Sequence, residues 1–298
     1  MRRKETKDNR YFSSSFLHFS MTFATEFVPT AGEVGMLPML TYFFMTVAAY
    51  CFLGNVFFSL LTNQSVAPEH RISRAYGGVI ALVAGVSYLL ITRFYHGMLQ
   101  DLSHLTDPAA RAALIRHSYQ AIGQYRYMDW AVTTPLLLLK ASSMLRIRYH
   151  EAAKAITIML LADFFMVLTG YIGEQQLTAS GEIITSGKLL WGAISTVGYV
   201  VAVVALYGLY KRFAARGNDT ERWGFRFIGL TTVTTWGVYP LGYMLTMTSI
   251  DLNYIHLAFS VFDVFNKVGI SVVAYLVGKR LLDERLDEKK VLDGYATA

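Results

Sequence analysis

Long apolar runs, separated by short polar segments, dominate the pattern of this chain. About 20 consecutive apolar residues in helical form cross the hydrocarbon core of a bilayer. The runs are continuous and do not alternate, which argues against a transmembrane β-barrel. The pattern predicts an all-α membrane protein, a bundle of seven transmembrane helices. The predicted spans are Leu37–Leu61, Tyr76–Met98, Tyr119–Leu145, Ala152–Gly173, Leu189–Tyr210, Phe225–Met247 and Tyr254–Leu281.

The segments between the spans indicate the domain organisation. They are short except for Leu99–Ser118, whose length and polarity predict an ordered external loop. The sequence shows no internal repeat and no low-complexity tract. We expect an extracellular tail over residues 1–35, a seven-helix domain over residues 36–282 and a cytoplasmic tail over residues 283–298.

The basic residues predict an orientation in the membrane. Eleven of them lie in or beside the first, third and fifth connections, against three in the second, fourth and sixth. Positive charge gathers on the cytoplasmic side, so we expect the N-terminus outside and the C-terminus inside. The eleven are Arg71, Arg74, Lys140, Arg146, Arg148, Lys154, Lys211, Arg212, Arg216, Arg222 and Arg226, and the three are Arg111, Arg116 and Lys188. The basic N-terminal residues Arg2, Arg3, Lys4, Lys7 and Arg10 disagree with this orientation.

The composition supports a membrane location. Hydrophobic residues make up 54% of the 298 residues and charged residues only 16%, against roughly a quarter charged in soluble domains. The net charge of +6 sits mostly in the connections, so no nucleic-acid partner is expected. The single cysteine, Cys51, allows no internal disulfide or cysteine metal cluster, and no metal site is predicted. We expect a multi-pass protein of the cell inner (plasma) membrane, with the lipid bilayer as its partner.

Charged residues interrupt the third predicted span. A charge at membrane depth is costly unless it is paired or hydrated, so such residues are candidates for function. At about 100° per residue they fall on one stripe of the helix, with Asp129 and Lys140 about 16 Å apart along the axis. The stripe consists of Arg126, Asp129, Thr133, Leu137 and Lys140.

The seventh span contains Asp263 and Lys267, one helical turn apart. Burial drives a lysine in the middle of a span to lose its charge or to react. A purely structural ion pair between Asp263 and Lys267 is the alternative. The further charges on the third span favour the functional interpretation.

Three motifs in these spans resemble the third, sixth and seventh helices of microbial rhodopsins. They are Arg126-Tyr-Met-Asp-Trp-x-x-Thr-Thr-Pro-Leu-Leu-Leu-Leu, Trp236-x-x-Tyr239-Pro240-x-x-Tyr243 and Asp263-x-x-x-Lys267. They occur in the right order and the resemblance extends over all seven spans. Within the family, the chain most resembles the proteorhodopsin and xanthorhodopsin branch of proton pumps. That branch is indicated by Tyr243, by Gly-Tyr-Ile-Gly-Glu174 and by His96.

The resemblance implies that Lys267 carries all-trans retinal as a protonated Schiff base, with Asp129 and Asp263 as its counterions. A cation in a low-dielectric core needs a nearby anion. Asp129, with Thr133 one turn away, is expected to accept the proton after illumination. Arg126 would help to keep the carboxylates ionised and would gate proton release.

Further residues are expected to shape the retinal pocket, although simple helix packing is the alternative for any single aromatic. Trp130 and Trp236 would sandwich the polyene, and Thr134 would hydrogen-bond Asp163 to link the third and fourth helices. Leu137 is similar to a colour-tuning residue that accompanies green absorption. The other predicted pocket residues are Met166, Gly170, Gly192, Ser195, Tyr239, Pro240 and Tyr243.

Gly192 also raises the question of a second pigment. The branch with glycine at this position includes proteins with a carotenoid antenna in a lipid-facing slot. Carotenoid binding and close helix packing both stay open for Gly192.

Two predicted roles depend on the branch. His96 is expected to pair with Asp129 and to share its proton, the alternative being a core or interfacial histidine. Lys140 stands where most outward pumps have a carboxylic acid as internal proton donor, although a subset of bacterial pumps has lysine. A donor that rests as a neutral amine is favoured for Lys140. The alternative is a side chain that extends to the cytoplasmic interface.

Together these residues favour a light-driven outward proton pump, with protons as the transported ion and no enzyme activity. Asp129 with Thr133 differs from the patterns of sodium and chloride pumps of the family, and Asp263 argues against its inward pumps. One alternative is a sensory photoreceptor that signals to a membrane partner, and another is an unpigmented seven-helix receptor or transporter. The branch resemblance also implies a homo-oligomer.

Overall fold

The computed structural model of the chain describes the backbone of residues 28–296 and the side chains of residues 28–293. Within these residues, seven long helices confirm the predicted all-α fold. After one helical turn at Ala31–Val34, they are α1 (Met36–Leu61), α2 (Arg71–Ser103), α3 (Pro108–Ser143), α4 (Ala153–Glu174), α5 (Thr185–Phe213), α6 (Asp219–Thr235 and Val238–Leu245) and α7 (Leu252–Val264, Phe265–Gly269 and Ile270–Ala296). Short 3-10 turns lie at Asn63–Ser65, Pro68–His70, Tyr149–Glu151 and Ala214–Arg216.

The helices form a closed bundle. Neighbours in sequence pack against each other, and α7 contacts both α6 and α1, which closes the ring. The outer surface is apolar, since Phe57, Leu161, Val204 and Leu230 are 65%, 64%, 63% and 65% exposed. Water-soluble proteins rarely expose so much apolar surface. The chain therefore faces lipid and is a multi-pass membrane protein.

Five helices among the described residues are apolar and long enough to cross a membrane, and α3 and α6 are not among them. The third helix contains Arg126, Asp129 and Lys140, which lower its hydropathy. The sixth helix is interrupted after Thr235. Hydropathy therefore misses the two helices that have charged groups or a backbone break inside the bundle.

Successive helices alternate in direction, so the bundle has two ends. We call the end at which α1, α3, α5 and α7 begin the N-side, and the opposite end the C-side. The predicted tail over residues 1–35 falls outside the described residues as far as residue 27. Residues 283–296, predicted as a C-terminal tail, continue α7 to Ala296.

The predicted external loop over Leu99–Ser118 is wrong. Helix α2 continues to Ser103 and α3 begins at Pro108, which leaves a connection of residues 104–107. The carboxylate of Asp107 accepts a hydrogen bond of 2.9 Å from the backbone N–H of Ala110 and caps α3, and proline is favoured at the first helical position. Polarity marks where a helix leaves the bilayer core, but it does not end the helix.

Two backbone irregularities lie near the middle of the bundle. Helix α6 breaks at Trp236 and Gly237, because Pro240 has no N–H to donate and its ring clashes with the carbonyl one turn earlier. Helix α7 widens into a π-helical turn over Phe265–Gly269, which contains Lys267. Such turns are frequent at functional sites.

Candidate functional site

Lys267 is the centre of the buried charge cluster. Its side chain is 2% exposed, and its Nζ donates a hydrogen bond to Oδ2 of Asp129 on α3. The same Nζ lies 3.8 Å from Oδ2 of Asp263, one turn earlier on α7. The structure thus brings together the three residues that the sequence analysis placed at the retinal linkage.

Asp263 is held by several donors. The Tyr88 hydroxyl on α2 donates to Oδ2 at 2.7 Å, and the Tyr239 hydroxyl on α6 donates to Oδ1 at 2.6 Å. Nη1 of Arg126 lies 3.6 Å from Oδ2 and donates to the Tyr88 hydroxyl at 2.9 Å. Both carboxylate oxygens of Asp263 therefore have partners, and the network holds this side chain beside Lys267.

Asp129 has fewer partners than Asp263. Its Oδ2 binds Lys267, whereas its buried Oδ1 has no hydrogen-bond partner in the described part of the protein. The Thr133 hydroxyl, predicted at the site, donates to the Asp129 backbone carbonyl at 3.0 Å. Asp129 is therefore the carboxylate with a free oxygen beside the amine.

The central charges balance. Lys267 and Arg126 supply two positive charges, and Asp129 and Asp263 supply two negative ones, all with side chains at most 3% exposed. Buried charges persist when they are paired and hydrogen-bonded. Loss of a proton from one member would disturb all four, which is what a proton-transfer site requires.

Aromatic side chains form a wall beside Lys267. The ring of Trp130 lies 4.8 Å from that of Tyr239 and 5.8 Å from that of Phe259. Trp236 is buried in the same core cluster as Leu137, with Met166 packed against it. The predicted pocket aromatics and Leu137 therefore face the interior.

Helices α4 and α5 complete the wall. The Thr134 hydroxyl donates to Asp163 Oδ2 at 2.8 Å, which confirms the predicted link between the third and fourth helices. The Ser195 hydroxyl donates to the Met166 carbonyl at 2.7 Å. A Cβ at Gly170 would meet the Tyr127 ring at 3.1 Å, so a larger residue there would need the ring to move by a few tenths of an ångström.

Gly192 lies against Tyr243. A Cβ at Gly192 would meet the Tyr243 ring at 2.9 Å, and the Tyr243 hydroxyl donates to the Lys188 carbonyl at 2.5 Å. Glycine at this position therefore permits close packing between α5 and α6. Packing was one of the two interpretations open for Gly192.

Two predicted site residues lie elsewhere. His96 packs its half-buried ring 5.8 Å from that of Tyr42, about 12 Å along α2 from Tyr88, so its predicted pair with Asp129 is not formed. Eight residues turn a helix by about 800°, which puts His96 on a different face and at a different depth. Pro240 is exposed, because it breaks α6 while its ring points away from the pocket.

Lys140 occupies the C-side half of the bundle. Its side chain is 0% exposed, and its Nζ has no hydrogen-bond partner among the described residues. A Cβ at Gly77 of α2 would lie 2.8 Å from this Nζ and 2.6 Å from the Ser271 hydroxyl. The alternative in which Lys140 extends to the interface is wrong, because the side chain is enclosed between α2, α3 and α7.

The C-side end of the bundle is tied together at Glu221, the third residue of α6. Its carboxylate accepts from His70 at 3.1 Å and from Arg146 at 3.1 Å, and the backbone N–H of Asn218 donates to it at 3.0 Å. Burial alone would raise the pKa of Glu221. The hydrogen bonds from His70 and Asn218 and the charge of Arg146 outweigh burial and lower this pKa below its ordinary value of 4.5.

Sequence reasoning missed Tyr88, which joins Asp263 to Arg126. A tyrosine in the middle of an apolar span is a usable signal, because a buried phenol seeks a hydrogen-bond partner. Its partner, Asp263, is 175 residues away in the sequence, so the contact can be seen only in the folded chain. His256, a buried histidine at the N-side of α7, was also missed.

Comparisons with known proteins agree with this geometry. The family model described as bacteriorhodopsin-like protein matches residues 38–280. The bacteriorhodopsin-II-like protein of Haloquadratum walsbyi is 27% identical over 65% of this chain and 70% of its own length. Opsin-1 of Neurospora crassa is 28% identical over 71% of this chain and 65% of its own length.

Solved structures share the fold. Xanthorhodopsin, described as a light-driven ion pump with dual chromophore, superposes with a TM-score of 0.68 at 23% identity, over 84% of this chain and 96% of its own. The rhodopsin of Exiguobacterium sibiricum gives a TM-score of 0.67 at 23% identity, over 84% and 99%. The matched region contains every site residue described above, and the chain therefore belongs to the bacteriorhodopsin-like family of retinal-binding membrane proteins.

Proposed function

We propose that this protein is a light-driven outward proton pump of the plasma membrane. Its N-side faces the outside of the cell and its C-side faces the cytoplasm. The observation that carries the proposal is the pair of buried lysines. Lys267 has carboxylates on its N-side, and Lys140 is enclosed about 16 Å along α3 on the C-side of Asp129. A proton leaving Lys267 toward Asp129 and returning from Lys140 moves from the C-side to the N-side.

The residues around Lys267 fit retinal. A buried primary amine can form a covalent bond with an aldehyde, and Trp130, Trp236 and Tyr239 supply an aromatic wall. Trp130 Nε1 is buried without a hydrogen-bond partner among the described residues, which suits a residue whose ring faces a ligand. When bound to Lys267, retinal supplies the light-dependent change that makes Nζ release its proton.

Asp129 and Asp263 have different roles after Lys267 releases its proton. Both oxygens of Asp263 already accept hydrogen bonds from tyrosine hydroxyls, and Arg126 lies beside it. Asp129 takes the proton from Nζ of Lys267, since it already accepts a hydrogen bond from that atom and has a free Oδ1. General bases act at hydrogen-bond distance, and Asp129 meets that condition.

Lys140 returns a proton to Lys267 from the C-side. An ammonium ion enclosed without a counterion is costly, so Lys140 rests as a neutral amine. It binds a cytoplasmic proton when the C-side half admits water and passes it toward Lys267. Its position on the same stripe of α3 as Asp129 supports this donor role.

The test is light-driven pH change in cells that express the protein with retinal. We expect the medium to acidify under illumination, and a protonophore to abolish the effect. The Lys267→Ala variant should show neither a visible absorption band nor acidification. A pigmented protein that gives no pH change would favour the sensory photoreceptor instead.

A carotenoid antenna is a second proposal, supported by the presence of glycine at position 192 and by the fold shared with xanthorhodopsin. Tyr243 already approaches Gly192 closely, so a carotenoid would have to share that surface. Reconstitution with a hydroxylated carotenoid should add antenna bands to the excitation spectrum. A spectrum without them, equal to that of Gly192→Trp, would dispose of the proposal.

A homo-oligomer is proposed on the branch resemblance alone. Its test is the mass of the detergent-solubilised protein, corrected for bound detergent. A mass near 33.5 kDa would contradict it.

A further inference from the structure

His256 is a buried histidine that the mechanism above does not use. It lies one turn inside the N-side end of α7, and its side chain is 1% exposed. Neither of its ring nitrogens has a hydrogen-bond partner in the part of the chain that the structure describes. Leaving buried polar atoms unpaired is costly, so such a residue calls for an explanation.

The surroundings of His256 connect it to the central charge cluster. Its ring lies 4.8 Å from that of Tyr119 and 6.0 Å from that of Tyr95. The Ser260 hydroxyl donates to the His256 carbonyl at 2.8 Å, and Nη2 of Arg126 lies 3.5 Å from that hydroxyl. His256 therefore stands next to Arg126, on the side away from Lys267.

A small cavity of about 20 Å³ touches both Arg126 and His256, and Glu174 of α4 also lines it. This volume is enough for about one water molecule, which needs polar groups around it. A larger cavity of about 260 Å³ begins at Tyr119 and Glu174 and reaches the N-side connections around Ile183 and Asp251. Because Tyr119 and Glu174 line both cavities, the two cavities adjoin and mark a route from Arg126 toward the N-side end.

Other titratable groups on this route are already engaged. Glu174 accepts a hydrogen bond of 2.7 Å from Nζ of Lys188, which is itself buried. Arg126 is engaged with Asp263 and Tyr88. The tyrosines facing the cavity are weak acids, since the ordinary pKa of a tyrosine is near 10. The imidazole of His256 is the group whose chemistry suits proton exchange near neutral pH.

We infer that His256 relays the released proton across the small cavity, from the side of Arg126 toward Tyr119 and Glu174, which also line the large N-side cavity. A neutral imidazole accepts a proton at its bare ring nitrogen and donates the proton carried by the other nitrogen, so that no net charge stays on the ring. The positive charge of Arg126 nearby disfavours a lasting imidazolium, so the ring passes the proton on and does not store it. This inference rests on the proposed outward transport of protons.

The test compares two times after a single laser flash, in the full-length pigment reconstituted in detergent or liposomes. The visible band reports when Lys267 loses its proton, and a pH-indicating dye reports when a proton reaches the N-side medium. The variants are His256→Phe, which keeps an aromatic ring, and His256→Gln, which keeps a polar side chain but cannot exchange a proton near neutral pH. The matched control is His117→Gln, an exposed histidine on α3.

In both His256 variants we expect the dye signal to be delayed by at least about tenfold relative to the wild type, with deprotonation of Lys267 unchanged. The His117→Gln control should behave as the wild type. If His256→Phe forms no pigment, His256→Gln carries the test. A dye signal in the His256 variants that is as early as in the wild type overturns the inference. So does a delay that appears in a further variant, Glu174→Gln, but in neither His256 variant. Absence of any proton release from the wild type would instead overturn the proposed function.

Discussion

The two buried lysines, Lys267 and Lys140, have the same side chain in opposite surroundings. Lys267 has two carboxylates within 4 Å. Lys140 has serine hydroxyls and a glycine near its amine and lacks a hydrogen-bond partner among the described residues. Counterions keep a buried ammonium charged, and their absence favours the neutral amine. In the proposed mechanism, one residue type thus releases a proton toward Asp129 in one half of the bundle and, as the internal donor, takes up a cytoplasmic proton and passes it on in the other.

The largest expected effect comes from removing the anion beside Lys267. In Asp129→Asn, the amine loses its nearest base, so light-driven acidification should fall by roughly 100-fold or more. Acidification by illuminated cells, normalised to pigment content, measures the effect. The matched control is Asp101→Asn, an exposed carboxylate on α2, which should transport as the wild type does. Equal transport by Asp129→Asn would show that the carboxylate beside Lys267 is not the acceptor.

A smaller effect is expected from crowding Lys140. In Gly77→Ala the new methyl group would lie 2.8 Å from Nζ of Lys140, so the amine must shift and recovery of the Lys267 proton should slow about tenfold. Gly78→Ala is the control, since its Cβ would meet Ser59 at an ordinary 3.5 Å. Flash spectroscopy at several pH values measures both. Equal slowing by the two alanines would point to general damage to α2.

The comparison of the two halves extends to the C-side end of the bundle. Glu221 anchors the C-side half, in which Lys140 lies. The pKa of Glu221 is lower in the folded protein than in the unfolded chain. Its contribution to stability is therefore fully present above about pH 4.5 and is lost as the pH falls through the folded value.

The Glu221→Gln variant should be less stable at pH 7, by roughly 2–4 °C in Tm for each kcal/mol lost. The difference from the wild type should shrink below pH 4. Thermal unfolding of the solubilised pigment, followed by loss of the visible band, measures it. A Tm difference that is constant from pH 3 to pH 7 would mean that the ionised carboxylate does not stabilise the fold.

The smallest effect is expected at the α3–α4 link. Thr134→Val keeps the shape of the side chain but removes the hydrogen bond to Asp163, and such bonds inside membranes contribute about 0.6–2 kcal/mol. We expect a modest loss of thermal stability, with proton transport retained. In Asp163→Asn the Thr134 hydroxyl keeps an acceptor, so a loss larger than that of Thr134→Val would show that the charge of Asp163, and not its hydrogen bond, matters.

Much of the fold and of the central site could be predicted from sequence, because both depend on local patterns. Apolar runs predicted the helices, and the resemblance of three local motifs to microbial rhodopsins implied that Asp129, Asp263 and Lys267 form one site. Contacts between distant helices could not be predicted in this way. Tyr88 reaches Asp263 across 175 residues.

Errors arose where one property stood for another. The polarity of Leu99–Ser118 predicts a loop, although backbone hydrogen bonds continue through polar residues. The branch resemblance predicts that His96 pairs with Asp129, although rotation and depth along α2 separate the two residues. The seclusion of Lys140 also needed the fold, because Gly77 and Ser271 enclose it from other helices.

Flash spectroscopy of Lys140→Ala, beside the exposed-lysine control Lys154→Ala, tests the account most directly. After Lys267 has lost its proton, the wild type and Lys154→Ala should recover quickly, since Lys140 takes up a cytoplasmic proton and passes it to Lys267. In Lys140→Ala recovery should be about 10-fold to 100-fold slower, with a rate that falls as pH rises. Recovery in Lys140→Ala as fast as in the control at every pH would contradict the assignment of Lys140 as the donor and, with it, the division of roles between the two lysines.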